Sequence, residues 1–465
     1  MTKTKLALFA ALVATGFLAI CSRVPEFEEV RDGADSVHMR GPLTPYQSSD
    51  ILDRLKRENP DSDILTRHLV IEEAVAGNPL SPGNKITLLQ DGEATFNAIF
   101  RAVREARDHI NLEFFIFEAI EHRGEKIVDQ LVAKQGSGVQ VNVIYDSIGS
   151  EATLGEVFDR LRDAGAKVHE FNPVIPFTNA KPKFNNPNLR DHRKILVVDG
   201  RLAITGGINI SSVYSASGGG SSPGRNKDKT KSDKPPAKWR DTDLLVEGPA
   251  VADFQGVFLE VWQTETGEAA PERNYFPKLA PKGDEVIRII ASGPDTKPPP
   301  FYITLLSAIR TAEERIWIAK AYFAQTDQEV EDLTAAAKRG VDVRLILQGD
   351  SDSPIVRHIA HSHYTTLLEA GIRIYELQDA ILHSKTIVID NVWSVVGSSN
   401  IDTRSVLFNT EVDTVILGRD TARQMEENFT TDMAQSTEIV LAEWRNRPFA
   451  DKLKEFFSRF TSRWM

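Results

Sequence analysis

The stretch that decides the fold is His192-Arg193-Lys194-Ile195-Leu196-Val197-Val198-Asp199, because the chain writes it a second time as His383-Ser384-Lys385-Thr386-Ile387-Val388-Ile389-Asp390. Each copy is a short aliphatic, β-branched run bounded by polar residues, which reads as a buried strand. Residues two apart in a strand share a face, so His192 and Lys194 point one way with Leu196 and Val198 while Asp199 points the other. The same parity holds for His383, Lys385 and Asp390. Small residues and an amide follow each strand: Gly206-Gly207-Ile208-Asn209 in the first copy, Gly397-Ser398-Ser399-Asn400 in the second. Small residues let backbone approach a ligand closely, and an asparagine amide can donate to an oxyanion.

The repetition continues upstream of both strands. Ala98 to Phe117 reads as an amphipathic helix running into an apolar strand, and Thr304 to Phe323 has the same shape. Gly138 to Asp146 is matched by Gly340 to Gln348, and Gly165 to Phe171 by Gly371 to Leu377, each a strand that follows a helix. Regular alternation of helix and strand is the mark of α/β layers on a largely parallel or mixed sheet. Prolines 271, 277 and 281 break the periodicity, so the boundary between the two halves is expected near 270–284.

At ~150 residues per domain, 465 residues make about three domains the prior, with two larger ones also allowed. A hydrophobic share of 41% and a charged share of 26% exclude a fibrous chain, a multi-span membrane protein and wholesale disorder. With 55 Lys+Arg against 66 Asp+Glu the formal charge is −11, which disfavours a nucleic-acid partner. The single cysteine, Cys21, permits no intramolecular disulfide and leaves the redox compartment open.

Lys3 and Lys5 precede an uninterrupted apolar run from Leu6 to Cys21, an export or anchoring signal over residues 1–25. Sixteen helical residues span ~24 Å against a ~30 Å hydrocarbon core, so a cleaved signal, a lipidated Cys21 and an uncleaved anchor all stay open. Lysines before the run and Glu26, Glu28 and Glu29 after it place the body outside the cytoplasm. Residues 26–84 are weakly patterned and read as an N-terminal arm or cap. The halves are then expected at 85–270 and 284–440, with a Ser-, Gly-, Pro- and Lys-rich mobile insert at 214–238. A basic amphipathic tail occupies 441–465, where Leu453, Phe456, Phe457 and Phe460 fall at helical spacing. It suits an anionic membrane surface, or alternatively packs on the body with a solvated basic face.

Two imidazoles, two ammonium groups and two amides converging on one centre suit a phosphodiester. One histidine attacks phosphorus, the lysines with Asn209 and Asn400 stabilise the non-bridging oxygens, and the other histidine protonates the leaving alcohol. No metal and no cofactor enter this scheme. His358, His361 and His363 do not share one helical face, have no adjacent acid, and read as a polar surface near the substrate entrance rather than a metal site.

The doubled His-x-Lys-x4-Asp followed by Gly-Gly/Ser-x-Asn resembles the phospholipase D superfamily. The flanking runs Asn188 to Lys194, Trp239 to Asp243, Gly248-Pro249 and Gly397 to Ser405, with Asn409 and Glu411, look like those of bacterial cardiolipin synthases. The resemblance runs from about Ile86 to the C-terminus. It implies a pseudo-twofold α/β fold, each half a mixed β-sheet flanked by helices, with one active site between them. It also implies catalytic sets His192, Lys194, Asp199 and His383, Lys385, Asp390, a phosphohistidine intermediate, and transfer of a phosphatidyl group from one phosphatidylglycerol to another with release of glycerol. Asp241 and Glu411, each seven residues before its glycine (Gly248, Gly418), take the family's histidine-orienting role. Asp199 and Asp390, on the opposite strand face, are read as structural, anchoring the loop that holds the site. His192 is preferred as the nucleophile because the N-terminal copy often takes that role in the family. The expected location is the bacterial cell membrane, body on the periplasmic side. Ala321 and Ala324-Gln325 around Tyr322-Phe323 depart from the family's Pro-Tyr-Phe and Pro-Asp, which leaves donor and acceptor open. A hydrolytic phospholipase D and, further off, a nuclease remain alternatives.

Overall fold

The structure is a computed structural model that describes residues 57, 64, 68–69, 72, 75–76, 78–173, 186–215, 238–297, 299–349, 354–449, 451–452 and 454–455. The apolar N-terminal run, most of the 214–238 insert and the last ten residues with Phe456, Phe457 and Phe460 lie outside the described residues, as does Leu453.

The first half carries strands β1 (Ser81–Gln90), β2 (His109–Phe114), β3 (Gln140–Asp146), β4 (Lys167–Phe171), β5 (Lys194–Val198), β6 (Leu202–Gly206) and β7 (Thr242–Glu247). The second carries β8 (Glu285–Ser292), β9 (Arg315–Lys320), β10 (Asp342–Gln348), β11 (Arg373–Leu377), β12 (Lys385–Ile389), β13 (Trp393–Gly397), β14 (Asn409–Leu417) and β15 (Ser436–Glu438). Across the first half the strands run β1-β7-β6-β5-β2-β3-β4, and across the second β8-β14-β13-β12-β9-β10-β11-β15, so seven positions repeat in the same order. In both, the three outer repeated strands are parallel (β2, β3, β4; β9, β10, β11) and the inner ones antiparallel.

The mixed α/β halves agree with the sequence, and one feature goes beyond it. β1 pairs antiparallel with β8, Ser81 opposite Ile287, which fuses the two expected sheets into one. The first strand also begins at Ser81, four residues ahead of the expected start of the first half at 85.

Helix α1 (Asp91–Glu105) shows why the pieces stay where they are. Phe96, Ile99, Phe100 and Val103 recur at helical spacing and are buried in the first-half core. Among the described residues there are three more clusters: one in the second half, one in which Ile195 and Val197 of β5 meet Ile287, Val388 and Val412, and a small one of Ile144, Phe171, Phe258 and Trp262. β5 is therefore covered on both faces, as its unbroken aliphatic run requires. The arm enters the second half's core through Ile64, Leu69 and Ala76. There Glu72 receives Arg288 at 3.2 Å, His68 at 2.9 Å and the Trp393 indole N–H at 3.2 Å, all buried. No helix among the described residues is long and apolar enough to cross a membrane.

Candidate active site

Each candidate histidine is set in place by backbone from the opposite half. The two-residue strand Arg190–Asp191 pairs parallel with Asn409 and Thr410, and His192 N then donates to Thr410 O at 2.9 Å. Reciprocally, Lys238–Arg240 pairs parallel with Ala380–Leu382, and His383 N donates to Arg240 O at 2.7 Å. The same strand that holds each histidine's backbone delivers its carboxylate partner one residue later.

His192 Nδ1 lies 2.9 Å from Glu411 Oε2, and His383 Nδ1 lies 2.7 Å from Asp241 Oδ2. Both carboxylates are fully buried. Burial works against ionisation of Glu411, but His192, Lys194 and a 2.6 Å bond from Ser398 Oγ hold it below the usual carboxylate value. An ionised Glu411 takes the Nδ1 proton of His192 and leaves Nε2 with its lone pair outward. Burial, with Lys194 and Lys385 adding to it and Glu411 opposing, lowers the His192 imidazole to about 4. His383 is lowered to about 4 by burial and then Lys385, against Asp241. Both rings are thus neutral near pH 7 in the ligand-free protein.

The two lysines differ. Lys194 Nζ bonds the His192 carbonyl, and burial lowers it to about 7, with Glu411 and Asp241 raising it and Lys385 lowering it. Lys385 Nζ sits 2.9 and 3.1 Å from the two ring nitrogens of His383 and 2.5 Å from its carbonyl. The electrostatic reach of Lys194 to His383, and of Lys385 to His192, joins residues of both halves in one centre.

Asp199 and Asp390 are not brought to that centre. Asp199 accepts from the amides of Arg107, Asp108 and His109 at 2.8–3.2 Å, and Asp390 from those of Glu313, Glu314 and Arg315 at 2.8–3.0 Å. Each holds the turn entering β2 or β9. Asn209 Oδ1 accepts from Ile116 N at 3.0 Å, whereas Asn400 Oδ1 is buried without a hydrogen-bond partner. The glycines need a corrected explanation: they make room for carboxylates, not for a ligand. A Cβ at Gly207 would lie 2.2 Å from Asp241 Oδ1, one at Gly206 2.3 Å from Asp243 Oδ1, and one at Gly397 1.9 Å from Asp413 Oδ1.

The three histidines near 360 do not converge. His361 Nε2 meets Glu376 Oε1 at 2.9 Å beneath Trp444, while the His363 ring lies against Phe323. The departure around Tyr322 is closed by a buried knot: Lys320 Nζ donates to Gln325 Oε1 at 2.8 Å and meets Glu329 Oε1 at 3.2 Å. The short helix Leu441–Arg445 packs on the helix Pro354–Glu369, with Trp444 Nε1 donating to Thr365 Oγ1 at 3.2 Å and Arg445 paired with Glu369.

Sequence reasoning missed the aromatic lining. Phe115 lies 5.0 Å from the His192 ring and Trp239 5.3 Å from that of His383, while the Tyr214 hydroxyl is 3.0 Å from His383 Nδ1. Aligning the repeats would have flagged Tyr214: it stands five residues after Asn209, where the second copy has Ser405 after Asn400.

Comparison with known proteins supplies the family. Residues 99–215 and 305–433 match the family described as "Cardiolipin synthase, PLD-like domain". The chain is 34% identical over 413 residues to "Cardiolipin synthase" of Alkalihalophilus pseudofirmus, covering 88% of this chain and 77% of the relative. It is 34% identical over 391 residues to the protein of the same name from Geobacillus thermodenitrificans, covering 83% and 74%. Among solved structures, phosphatidylserine synthase of Haemophilus influenzae aligns with a TM-score of 0.58 at 12% identity over 86% of this chain and 98% of that one, a likeness of fold. Two matched repeats, and relatives a third identical over most of both chains, place this chain in the PLD-like cardiolipin synthase family.

Proposed function

We propose that this chain transfers a phosphatidyl group from one phosphatidylglycerol to the terminal hydroxyl of another, making cardiolipin and glycerol. The observation that carries the reading is the reciprocal pairing His192–Glu411 and His383–Asp241 beside two lysines, in a chain whose relatives are named cardiolipin synthase. In the first step His192 Nε2 forms a bond to phosphorus as the bond to the glycerol oxygen breaks, and the other imidazole, His383, gives that oxygen a proton. In the second, the acceptor hydroxyl loses its proton to His383, its oxygen bonds phosphorus, and the bond to His192 breaks. Lys194, Lys385, Asn209 and Asn400 stabilise the non-bridging oxygens, while Asp241 and Glu411 fix the imidazole tautomers. The incoming phosphate charge between the lysines raises the proton affinity of His383, which burial and Lys385 otherwise keep low. Asp199 and Asp390 act by anchoring backbone. The apolar residues 6–21 hold the protein at the bacterial membrane with its body on the outer side of that bilayer.

The test is to incubate the purified protein in detergent micelles with phosphatidylglycerol alone and resolve products by mass spectrometry. Cardiolipin with free glycerol supports the reading. Phosphatidic acid without cardiolipin replaces it with hydrolysis, and no product with this donor overturns it.

A further inference from the structure

The two halves repeat everything the proposed chemistry needs, yet one buried hydroxyl belongs to only one of them. Tyr214 closes the 3₁₀ turn Ser212–Tyr214 and is 4% exposed, with its ring edge-on to Trp239 at 5.3 Å. Its hydroxyl lies 3.0 Å from Nδ1 of His383 in the other half, and the Asn209 side chain interacts with the same hydroxyl. Asn209 is itself fixed, its Oδ1 accepting from Ile116 N at 3.0 Å. A continuous path therefore runs from the first half's backbone at Ile116, through the Asn209 amide and the Tyr214 phenol, to the second half's imidazole. The equivalent position beyond Asn400 is Ser405, whose hydroxyl accepts from the Asn400 backbone N–H at 3.2 Å. Around His192, Glu411 is supported instead by Ser398 and Asn409.

We propose that Tyr214 is a positioning residue for His383 alone, locking that imidazole to the phosphate-facing Asn209 amide and committing it to proton transfer while His192 is left to attack. The proposal rests on the phosphatidyl-transfer reading above and deepens it by assigning the two histidines. The charged and titratable groups that face His383 are Asp241, Lys385, Lys194, Tyr214 and Tyr322. Asp241 takes the Nδ1 proton at 2.7 Å, so the phenolic oxygen meets that nitrogen as a second acceptor. A second acceptor favours the protonated ring. Tyr214 therefore strengthens His383 as the group that gives a proton to the leaving alcohol and recovers one from the acceptor.

The experiment compares wild type with Tyr214→Phe, reading release of the donor's headgroup from phosphatidylglycerol micelles across pH. Transfer and hydrolysis both release it, so the result is independent of which acceptor wins. The phenyl ring keeps the contact with Trp239. Expected are a kcat about tenfold lower with KM little changed, and an alkaline limb displaced to lower pH. In parallel, diethyl pyrocarbonate modification is followed on the His383 and His192 peptides by mass spectrometry. The His383 profile should move to lower pH and that of His192 stay fixed, a readout that survives even if phosphatidylglycerol is not the donor. Replacing Tyr214 by 3-fluorotyrosine, which keeps ring and hydroxyl and alters only phenol acidity, should give an intermediate displacement and covers the case in which the phenylalanine variant does not fold. An unmoved His383 profile in both variants, or equal movement of both histidines, overturns the proposal. So does mass-spectrometric detection of the trapped phosphatidyl adduct on His383 rather than His192.

Discussion

At the scale of single residues, the site works by excluding alternatives. Gly207 leaves space for the Asp241 carboxylate, which a Cβ there would approach to 2.2 and 2.6 Å at its two oxygens. Asp241 is fully buried, tied to Thr242 N at 2.8 Å and to His383 at 2.7 Å, so it has nowhere to go without releasing the imidazole. Gly207→Ala should therefore lower kcat by roughly 10²-fold while the folded population persists, since a misplacement of ~1 Å at reacting groups costs about that much. A thermal melt beside the headgroup-release assay separates the two effects, and an active Gly207→Ala variant would remove Asp241 from the mechanism. Lys194 makes the second residue-scale prediction. Burial brings its ammonium down to about 7, so its positive charge is present below that pH and is lost as pH rises through it. The kcat/KM for phosphatidylglycerol should fall above about pH 7, and Lys194→Arg should erase that alkaline fall even though the rate itself drops.

At the scale of elements, the arm before β1 is fastened by one carboxylate. Burial opposes ionisation of Glu72, yet Arg288, His68 and Trp393 hold it below the usual carboxylate value. Removing it by Glu72→Ala leaves the Arg288 guanidinium buried without that counter-ion and should cost ~3–5 kcal/mol of stability in urea denaturation. Adding Arg288→Met to Glu72→Met should return much of the loss, because both charges are then gone. The sequence marks residues 26–84 as an arm but not where it docks: a few apolar contacts and one ion pair across 216 positions leave no periodic trace. By contrast, β2, β3 and β4 and their counterparts β9, β10 and β11 were legible, because local alternation of apolar residues and doubled spacing report secondary structure directly. The histidine partners were legible only by counting back from Gly248 and Gly418 in the two copies. What could not be read was that each carboxylate crosses to the other half, 219 and 142 residues away, since that depends on how the sheets join. The glycines were read as ligand clearance for the same reason: the carboxylates that fill the space come from a neighbouring strand, Gly206 opposite Asp243 and Gly397 opposite Asp413.

At the scale of the whole molecule, the chain is a covalent pseudo-dimer whose centre exists only at the junction. The junction is not held by the connection between the halves. It is held by β1 on β8, by the reciprocal strands Arg190–Asp191 with Asn409–Thr410 and Lys238–Arg240 with Ala380–Leu382, and by the shared core of Ile195, Val197, Ile287, Val388 and Val412. The connection leaves helix Val251–Thr266 at Gly267, in the left-handed conformation, and its next two residues are exposed. A protease site placed between Glu268 and Ala269 should thus be cut in the native protein without parting the halves. The nicked protein is expected to elute as one species at the position of the uncut protein and to keep its rate of headgroup release, because no site residue or junction contact is cut. Only denaturant should separate the fragments, and each fragment alone should be inactive, since each retains one imidazole and the carboxylate that serves the other. Nicked halves that separate in native buffer would mean that the covalent link, and not the buried junction, keeps His192 beside Glu411 and His383 beside Asp241.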